Sequence, residues 1–351
     1  MSDGRRAGER PAETTPRSPA TRSFRRGLRS SLGAAAPDPA ANGAWRALTA
    51  LAYKWEFYSV ESYFRESWSD VQRILGDRAV DTIQGIALVT FKPEAIVARR
   101  IESALGYLQE HAFAPLLCQR IRYTQRSMRE IWRYQWNIAT LDRLAVLDEL
   151  NTAGDSLFVV FGHPPTPDGV PASVRLRDLK GSAIPERRRS DQLRAAMGGA
   201  NRLFTFFHAT DEPADVVREL GVLFPRSERC AILEALRDSD GCTGADEVAA
   251  ATRALYAEIP ARSLDLTPVL ERVRAAVEGT GAAALLEAAA RGAPLAWREF
   301  SEAAAAAGVH VEPWDRVVLG AHLVRHDVPG EKCIIDEDGR EDWLRPAQFD
   351  E

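Results

Sequence analysis

The chain has no stretch approaching the roughly 18 to 20 uncharged apolar residues that cross a bilayer, and its start lacks the short apolar segment of a secretory signal. These absences exclude a helical membrane protein and point to a soluble, cytoplasmic one. Cysteine is scarce: Cys118, Cys230, Cys242 and Cys333 stand far apart with no C-x-x-C pair. Neither a disulfide framework nor a zinc ribbon is therefore suggested, and the thiols read as reduced and mostly buried. An excess of positive charge is missing too. With 45 Lys and Arg against 50 Asp and Glu, the net charge of -5 argues against a general nucleic-acid binder. No internal repeat stands out.

What is present is enough apolar material, 45% of 351 residues, to bury a sizeable core. Residues 1–43 are Arg, Ser, Pro, Ala and Gly with hardly a large apolar side chain, so burial there cannot offset ordering entropy. They read as a disordered, solvated tail, although Arg-rich, acid-poor starts also suit transit peptides and anion-binding arms. Residues 44–83 switch to a helical pattern, with Trp45, Leu48, Leu51, Trp55 and Tyr58 on one face. That stripe is expected to pack on the following domain or on a second subunit.

Between residues 84 and 225 short apolar runs alternate with helical stretches. Ile86–Phe91 predicts a buried strand, and Pro93 with Ile96, Ile101, Leu105 and Leu108 predicts a helix directly after it. Further strands are expected at Leu116–Tyr123, Ser156–Phe161 and Leu203–Phe207. Helices are expected through Met128–Trp132, Leu141–Leu150, Ser173–Leu179 and Pro213–Leu223. The order fits the α/β (α+β) class, an elaborated ferredoxin-like antiparallel sheet with helices packed on it. Residues 226–351 read as a separate, mostly helical accessory domain, with Thr267 as an N-cap before Pro268. Its end, Cys333–Ile335, Asp336-Glu337-Asp338-Gly339 and Trp343, reads as a strand turning through a hairpin.

His208 ends the expected apolar strand Leu203–Phe207 and is followed by Ala-Thr-Asp and an acidic helix start. On residue type alone such a histidine is satisfied by neighbouring backbone; its company changes the reading. Glu219, on the helix that follows, can hold one ring N–H and leave the other nitrogen for nucleophilic work. Lys92 stands at the end of the first strand, and Arg177 and Arg194 flank a loop that adds Lys180, Arg187, Arg188 and Arg189. Several cations converging near a histidine suit a polyphosphate, whose transfer requires charge-assisted hydrogen bonds and neutralisation of developing charge.

The run Ala87-Leu88-Val89-Thr90-Phe91-Lys92-Pro93-Glu94-Ala95 resembles the opening strand of nucleoside diphosphate kinases. Phe207-His208-Ala209-Thr210-Asp211 resembles their active-site histidine motif. Between Gly85 and Phe224, the residues Lys92, Arg177, Gly181, Arg194, His208, Asp211 and Glu219 arrive in that family's order. The resemblance implies that His208 takes the γ-phosphate of ATP or another nucleoside triphosphate and passes it to a nucleoside diphosphate. It further implies that Glu219 orients the ring, that Lys92, Arg177 and Arg194 grip the phosphates, and that Mg2+ is carried on those phosphates rather than by protein ligands. A homo-oligomer is implied as well.

The departures from the family are specific. Thr205 stands where the family has asparagine, Trp132 where it has its active-site tyrosine, and Ala209 and Thr210 where glycine and serine are usual. The base-stacking aromatic has no counterpart around Asp142–Leu144, and the loop His163–Pro171 is an insertion. These features leave two rivals: a nucleotide-binding scaffold with weakened transfer, and a kinase with a specialised acceptor. Elsewhere, His322 and His326 at i, i+4 with Cys333 could seed a metal site but lack a fourth ligand. Asp336, Glu337 and Asp338 lack the ligand spacing of a calcium loop.

Overall fold

The computed structural model describes residues 44–239, 244–335 and 340–344; the expected tail, Cys242 and the Asp336–Gly339 turn lie outside them. After a 3-10 turn at Ala44–Leu48 come α1 (Ala52–Tyr58), α2 (Ser62–Leu75) and α3 (Ala79–Gln84). Along α2 the buried residues Phe64, Trp68, Val71 and Leu75 recur at steps of four and three, which gathers them on one face. Gly76 ends that helix at φ +57°, a conformation a Cβ disfavours.

The chain continues through β1 (Ile86–Phe91), α4 (Pro93–Val97), α5 (Ile101–Glu110), β2 (Ala114–Ile121), α6 (Gln125–Ile131), α7 (Leu141–Thr152) and β3 (Ser156–Gly162). Then follow α8 (Ala172–Lys180), α9 (Leu193–Ala196), β4 (Phe207–Ala209) and α10 (Pro213–Leu223). The remaining helices are α11 (Arg226–Asp238), α12 (Ala245–Glu258), α13 (Leu266–Val277), α14 (Gly281–Ala290), α15 (Trp297–Ala306), α16 (Pro313–Leu323) and α17 (Arg340–Leu344).

The four strands form one antiparallel sheet in the order β2-β3-β1-β4, in keeping with the expected mixed fold class. All six residues of β1 are buried because both faces of the sheet are covered. Leu88, Phe158 and Val160 meet Trp45, Phe64, Trp68, Val216, Val217 and Leu220 on one face. Ala87, Val89, Phe91, Leu157 and Val159 meet residues of α4, α5, α8 and α12 on the other. The aromatic stripe of residues 44–83 thus packs on the sheet's own core, where Trp45 also stacks on Trp55 with centroids 3.6 Å apart. Truncating a fully buried aromatic such as Phe64 costs about 3–5 kcal/mol.

The helices after Pro225 distribute over three cores. Leu233 and Leu236 of α11 join the first, Val248 and Leu255 of α12 the second, and α13 to α16 close on α7 in a third. Several expected boundaries are corrected. The single helix after Pro93 is two, broken at Arg99, which has φ +56°. Its guanidinium donates to the Ile96 and Ile259 carbonyls and to that of Tyr256, which fixes the break. Thr267 is no cap, since α13 starts two residues earlier than expected, at Leu266 behind Asp265. Cys333–Ile335 forms no strand, and Trp343 lies on a short helix.

Candidate active site

The fourth strand begins at Phe207, not at Leu203, because Phe206 takes φ +65°, a strained conformation for an aromatic residue. Buried contacts hold the kink in place. The Phe206 carbonyl accepts from the Lys92 amide at 2.9 Å, and the Phe206 amide donates to Glu94 Oε1 at 3.2 Å. The same Glu94 oxygen holds Lys92 Nζ at 2.7 Å. His208 consequently sits inside the short strand, paired with Thr90 of β1, rather than at a strand's carboxyl edge. Paired residues of antiparallel strands share a face, so His208 lies on the face of the sheet that α10 covers.

Glu219 reaches His208 from α10, with Oε1 2.8 Å from Nε2. A carboxylate there fixes the tautomer with the proton on Nε2. Nδ1 makes no hydrogen bond among the described residues. The helix that carries Glu219 is held at its start and at its middle. At its start, Glu212 and Asp215 form a capping box with Pro213 at the first helical position. Lys54 Nζ bridges Glu212 and Asp215 at 2.9 and 3.0 Å, Tyr58 donates to Asp215 at 2.6 Å, and Thr49 donates to Glu212 at 2.7 Å. One residue before Glu219, the buried Arg218 makes a two-pronged pair with Glu61 at 2.5 and 2.8 Å and donates to the Glu130 carbonyl at 2.6 Å. The N-terminal helices therefore brace the helix that orients the histidine.

His208 opens on a cavity of about 880 Å3, and all seven residues named from the sequence line it: Lys92, Trp132, Arg177, Arg194, Thr205, His208 and Glu219. Arg194 Nη1 donates to the Gly181 carbonyl at 2.6 Å and its guanidinium lies over the Phe207 ring. Gly181 has φ +77°, and a Cβ there would meet Gln192 Oε1 at 2.6 Å, so only glycine fits this turn. Burial presses the Lys92 pKa down while Glu94 pulls it back up. Burial opposes ionisation of Asp211 as well. Lys180, hydrogen-bonded to it, and Arg177, with Nε 3.8 Å away, nonetheless hold that carboxyl well below the usual range.

The unusual positions noted in the sequence take definite form. Trp132 presents its indole edge-on to the His208 ring, with centroids 5.0 Å apart at 80°, and stacks on Trp136 at 4.7 Å. The Thr210 hydroxyl accepts from the Leu88 amide at 3.1 Å inside the sheet, which takes it away from the cavity. His322 and His326 share no metal site. The helix ends at Leu323, the two rings face the Leu264 and Ala321 carbonyls, and no metal-binding cluster of His, Cys, Asp or Glu occurs among the described residues.

Sequence reasoning overlooked Lys54, Arg143, Arg202 and Arg218, four further cations on the cavity wall, the braces Tyr58 and Glu61, and Asp327, which pairs with Arg143 and Arg202. The acidic helix start after His208 was the one sequence signal near any of them, and it bears on Lys54 and Tyr58 alone.

No family model matches the chain. Over 141 residues it is 25% identical to a thioredoxin domain-containing protein 3 homolog of Heliocidaris crassispina, covering 40% of this chain and 16% of that protein. The chain thus spans about a sixth of that relative's length. Among solved structures it is similar to the nucleoside diphosphate kinase of Aquifex aeolicus, at 19% identity and a TM-score of 0.34, covering 41% of this chain and 96% of that one. The nucleoside diphosphate kinase of Encephalitozoon cuniculi gives 14% identity and 0.34, over 40% and 92%. Among the described residues no helix is long and apolar enough to cross a membrane. Each of these two solved structures is matched over about two fifths of this chain.

Proposed function

We propose that the chain is a cytoplasmic phosphotransferase that moves the γ-phosphate of a nucleoside triphosphate to a nucleoside diphosphate through a phosphohistidine at His208. The observation that carries this is the His208–Glu219 pair, 2.8 Å at Nε2, beside a cavity lined with cations. With its proton on Nε2 and shared with Glu219, the ring offers the Nδ1 lone pair to the γ-phosphorus. As the Nδ1–P bond forms, the bond to the β–γ bridging oxygen breaks and the diphosphate leaves. In the second half, the terminal oxygen of an incoming diphosphate attacks the same phosphorus and His208 is restored.

Lys92, Arg177 and Arg194 neutralise the phosphate oxygens, and Glu219 keeps the imidazolium character that develops on the ring stabilised. When it enters on the triphosphate, Mg2+ supplies further charge neutralisation at the outer phosphates. The chemistry of the wall suits such a delivered metal, because Asp211, close to His208 in the chain, is already paired with Lys180. Thr205 and Trp132 complete the wall near the histidine.

A second reading, a nucleotide-binding scaffold with weakened transfer, is favoured by Trp132, whose indole edge brings no hydroxyl to the phosphate. Double-reciprocal kinetics with Mg-ATP and mixed diphosphates separate the two. Parallel lines, the pattern of a ping-pong exchange through a phosphoenzyme, are the expected result. Nucleotide binding without turnover would select the scaffold.

A further inference from the structure

Beyond α16 the chain doubles back along residues 134–140. Thr140 N donates to the His326 carbonyl at 3.1 Å, Val328 N to the Ile138 carbonyl at 2.8 Å, and Ile334 N and Ile335 N to the Tyr134 carbonyl at 2.9 and 3.2 Å. This path sets Asp327 between Arg143, 2.6 Å from Oδ1, and Arg202, which pairs with Oδ2. Both arginines line the cavity that contains His208, and so do Cys333 and Ile335 farther along the strap. Still later, α17 adds Glu341 and Asp342 to the same wall. Trp343 Nε1 donates to Glu212 at 2.9 Å, which ties α17 to the capping box of the helix that bears Glu219.

We propose that this C-terminal stretch is an internal acidic ligand of the cavity. Asp327 fills an anion subsite made by Arg143 and Arg202, and a polyphosphate reaches that subsite only by displacing it. The inference rests on the phosphotransferase reading for the chemistry of what enters.

Three features separate an exchangeable occupant from a purely structural pair. First, the Arg143 side chain is only 8% exposed, and a guanidinium so buried needs an anion. A phosphate oxygen meets that need as well as a carboxylate does. Second, the Asp327 side chain is 32% exposed and belongs to no helix or strand; a lone bridge to Ala139 holds its backbone. Third, Val328 and Ile334 expose 39% and 49% of their surface, so the stretch around Asp327 buries little apolar surface, while Ile335, 3% exposed in the first core, anchors its far end. Competition of this kind is reciprocal: the factor by which the strap weakens the ligand is the factor by which the ligand loosens the strap.

The test is calorimetric binding of Mg-ATPγS and of inorganic tripolyphosphate to the full chain, to Asp327→Asn and to Glu341→Gln/Asp342→Asn. Amide exchange of residues 325–335 is followed alongside. Asp327→Asn is expected to tighten the Kd about tenfold, equivalent to about 1.4 kcal/mol. Saturating ligand is expected to speed exchange at Val328, Ile334 and Ile335 in the unmodified chain. A Kd that weakens or stays put in Asp327→Asn, or strap amides that ligand protects, would overturn the proposal.

Should Asp327→Asn fail to fold, the double variant is expected to tighten binding a few-fold, and no change there overturns it equally. Nucleotide bound and transferred without any response of the strap sinks this inference alone. Absence of binding in every variant sinks the phosphotransferase reading along with it.

Discussion

The His208 end of the cavity and the end lined by Arg143 and Arg202, which Asp327 pairs, use charge in opposite ways. At the first, a carboxylate is spent on one nitrogen of an imidazole, and the buried network around it lies behind α10, where Lys54, Tyr58, Glu61 and Arg218 come from, or reach, the N-terminal helices. At the second, a half-buried carboxylate on a strap that belongs to no helix or strand already sits between two arginines. The first end is built to keep its geometry and the second to exchange an anion. Braces that are buried and multiply bonded suit a group that must not move; a single carboxylate on irregular chain suits one that must.

Four substitutions break or sharpen that contrast. His208→Ala is expected to lower phosphate transfer by at least about three orders of magnitude without changing triphosphate affinity more than a few-fold, as loss of a nucleophile does. Rapid-quench and equilibrium binding measured on the same preparation check it. Glu219→Gln keeps the shape of the pair and removes its charge, so transfer should fall about 100-fold, less than for the histidine itself. An equal loss from both variants would instead make Glu219 part of the bond-making step.

Glu61→Gln tests the brace. Leaving Arg218 buried without its carboxylate should cost about 3 kcal/mol of stability in denaturant unfolding. Transfer should fall with it while the Asp327 end keeps its anion affinity. An unchanged midpoint would mean that the N-terminal helices do not hold α10.

The smallest effect concerns pH. Burial, and then the charge of Arg143, depress the His326 pKa to about 4, against about 6.5 for a free imidazole. Arg202 and His322 act in the same direction. A depressed folded pKa means that the unfolded chain binds the proton first. Stability is therefore complete above about pH 6.5 and declines as pH falls toward about 4. Thermal unfolding of His326→Gln across that window should show a shallower decline than the unmodified chain; superimposable curves would contradict the assignment.

Much of the fold was legible because it rests on local pattern. The apolar run Ile86–Phe91 and the helix Pro213–Leu223 fall where periodicity and the proline placed them. The kink at Phe206 was not legible, because an apolar run carries no sign of a positive φ. The seven candidate site residues line one cavity, and five of them, Lys92, Arg177, Arg194, His208 and Glu219, were recognisable from their order along the chain. The braces and the second pair of cations escaped notice for a different reason. Lys54 meets Asp215, Glu61 meets Arg218 and Arg143 meets Asp327 across more than 150 residues of chain, and periodicity has no access to such pairings. Charged residues that looked solvated one at a time became a network only when the sheet brought them together.

The most direct test of the central claim is to incubate the protein with Mg-ATP and map the modification by mass spectrometry at alkaline pH, where phosphohistidine survives. A single acid-labile phosphoryl group is expected on the peptide containing His208, removed by added diphosphate and absent from His208→Ala. A phosphoryl group on another residue, or none on protein that binds the nucleotide, would contradict it.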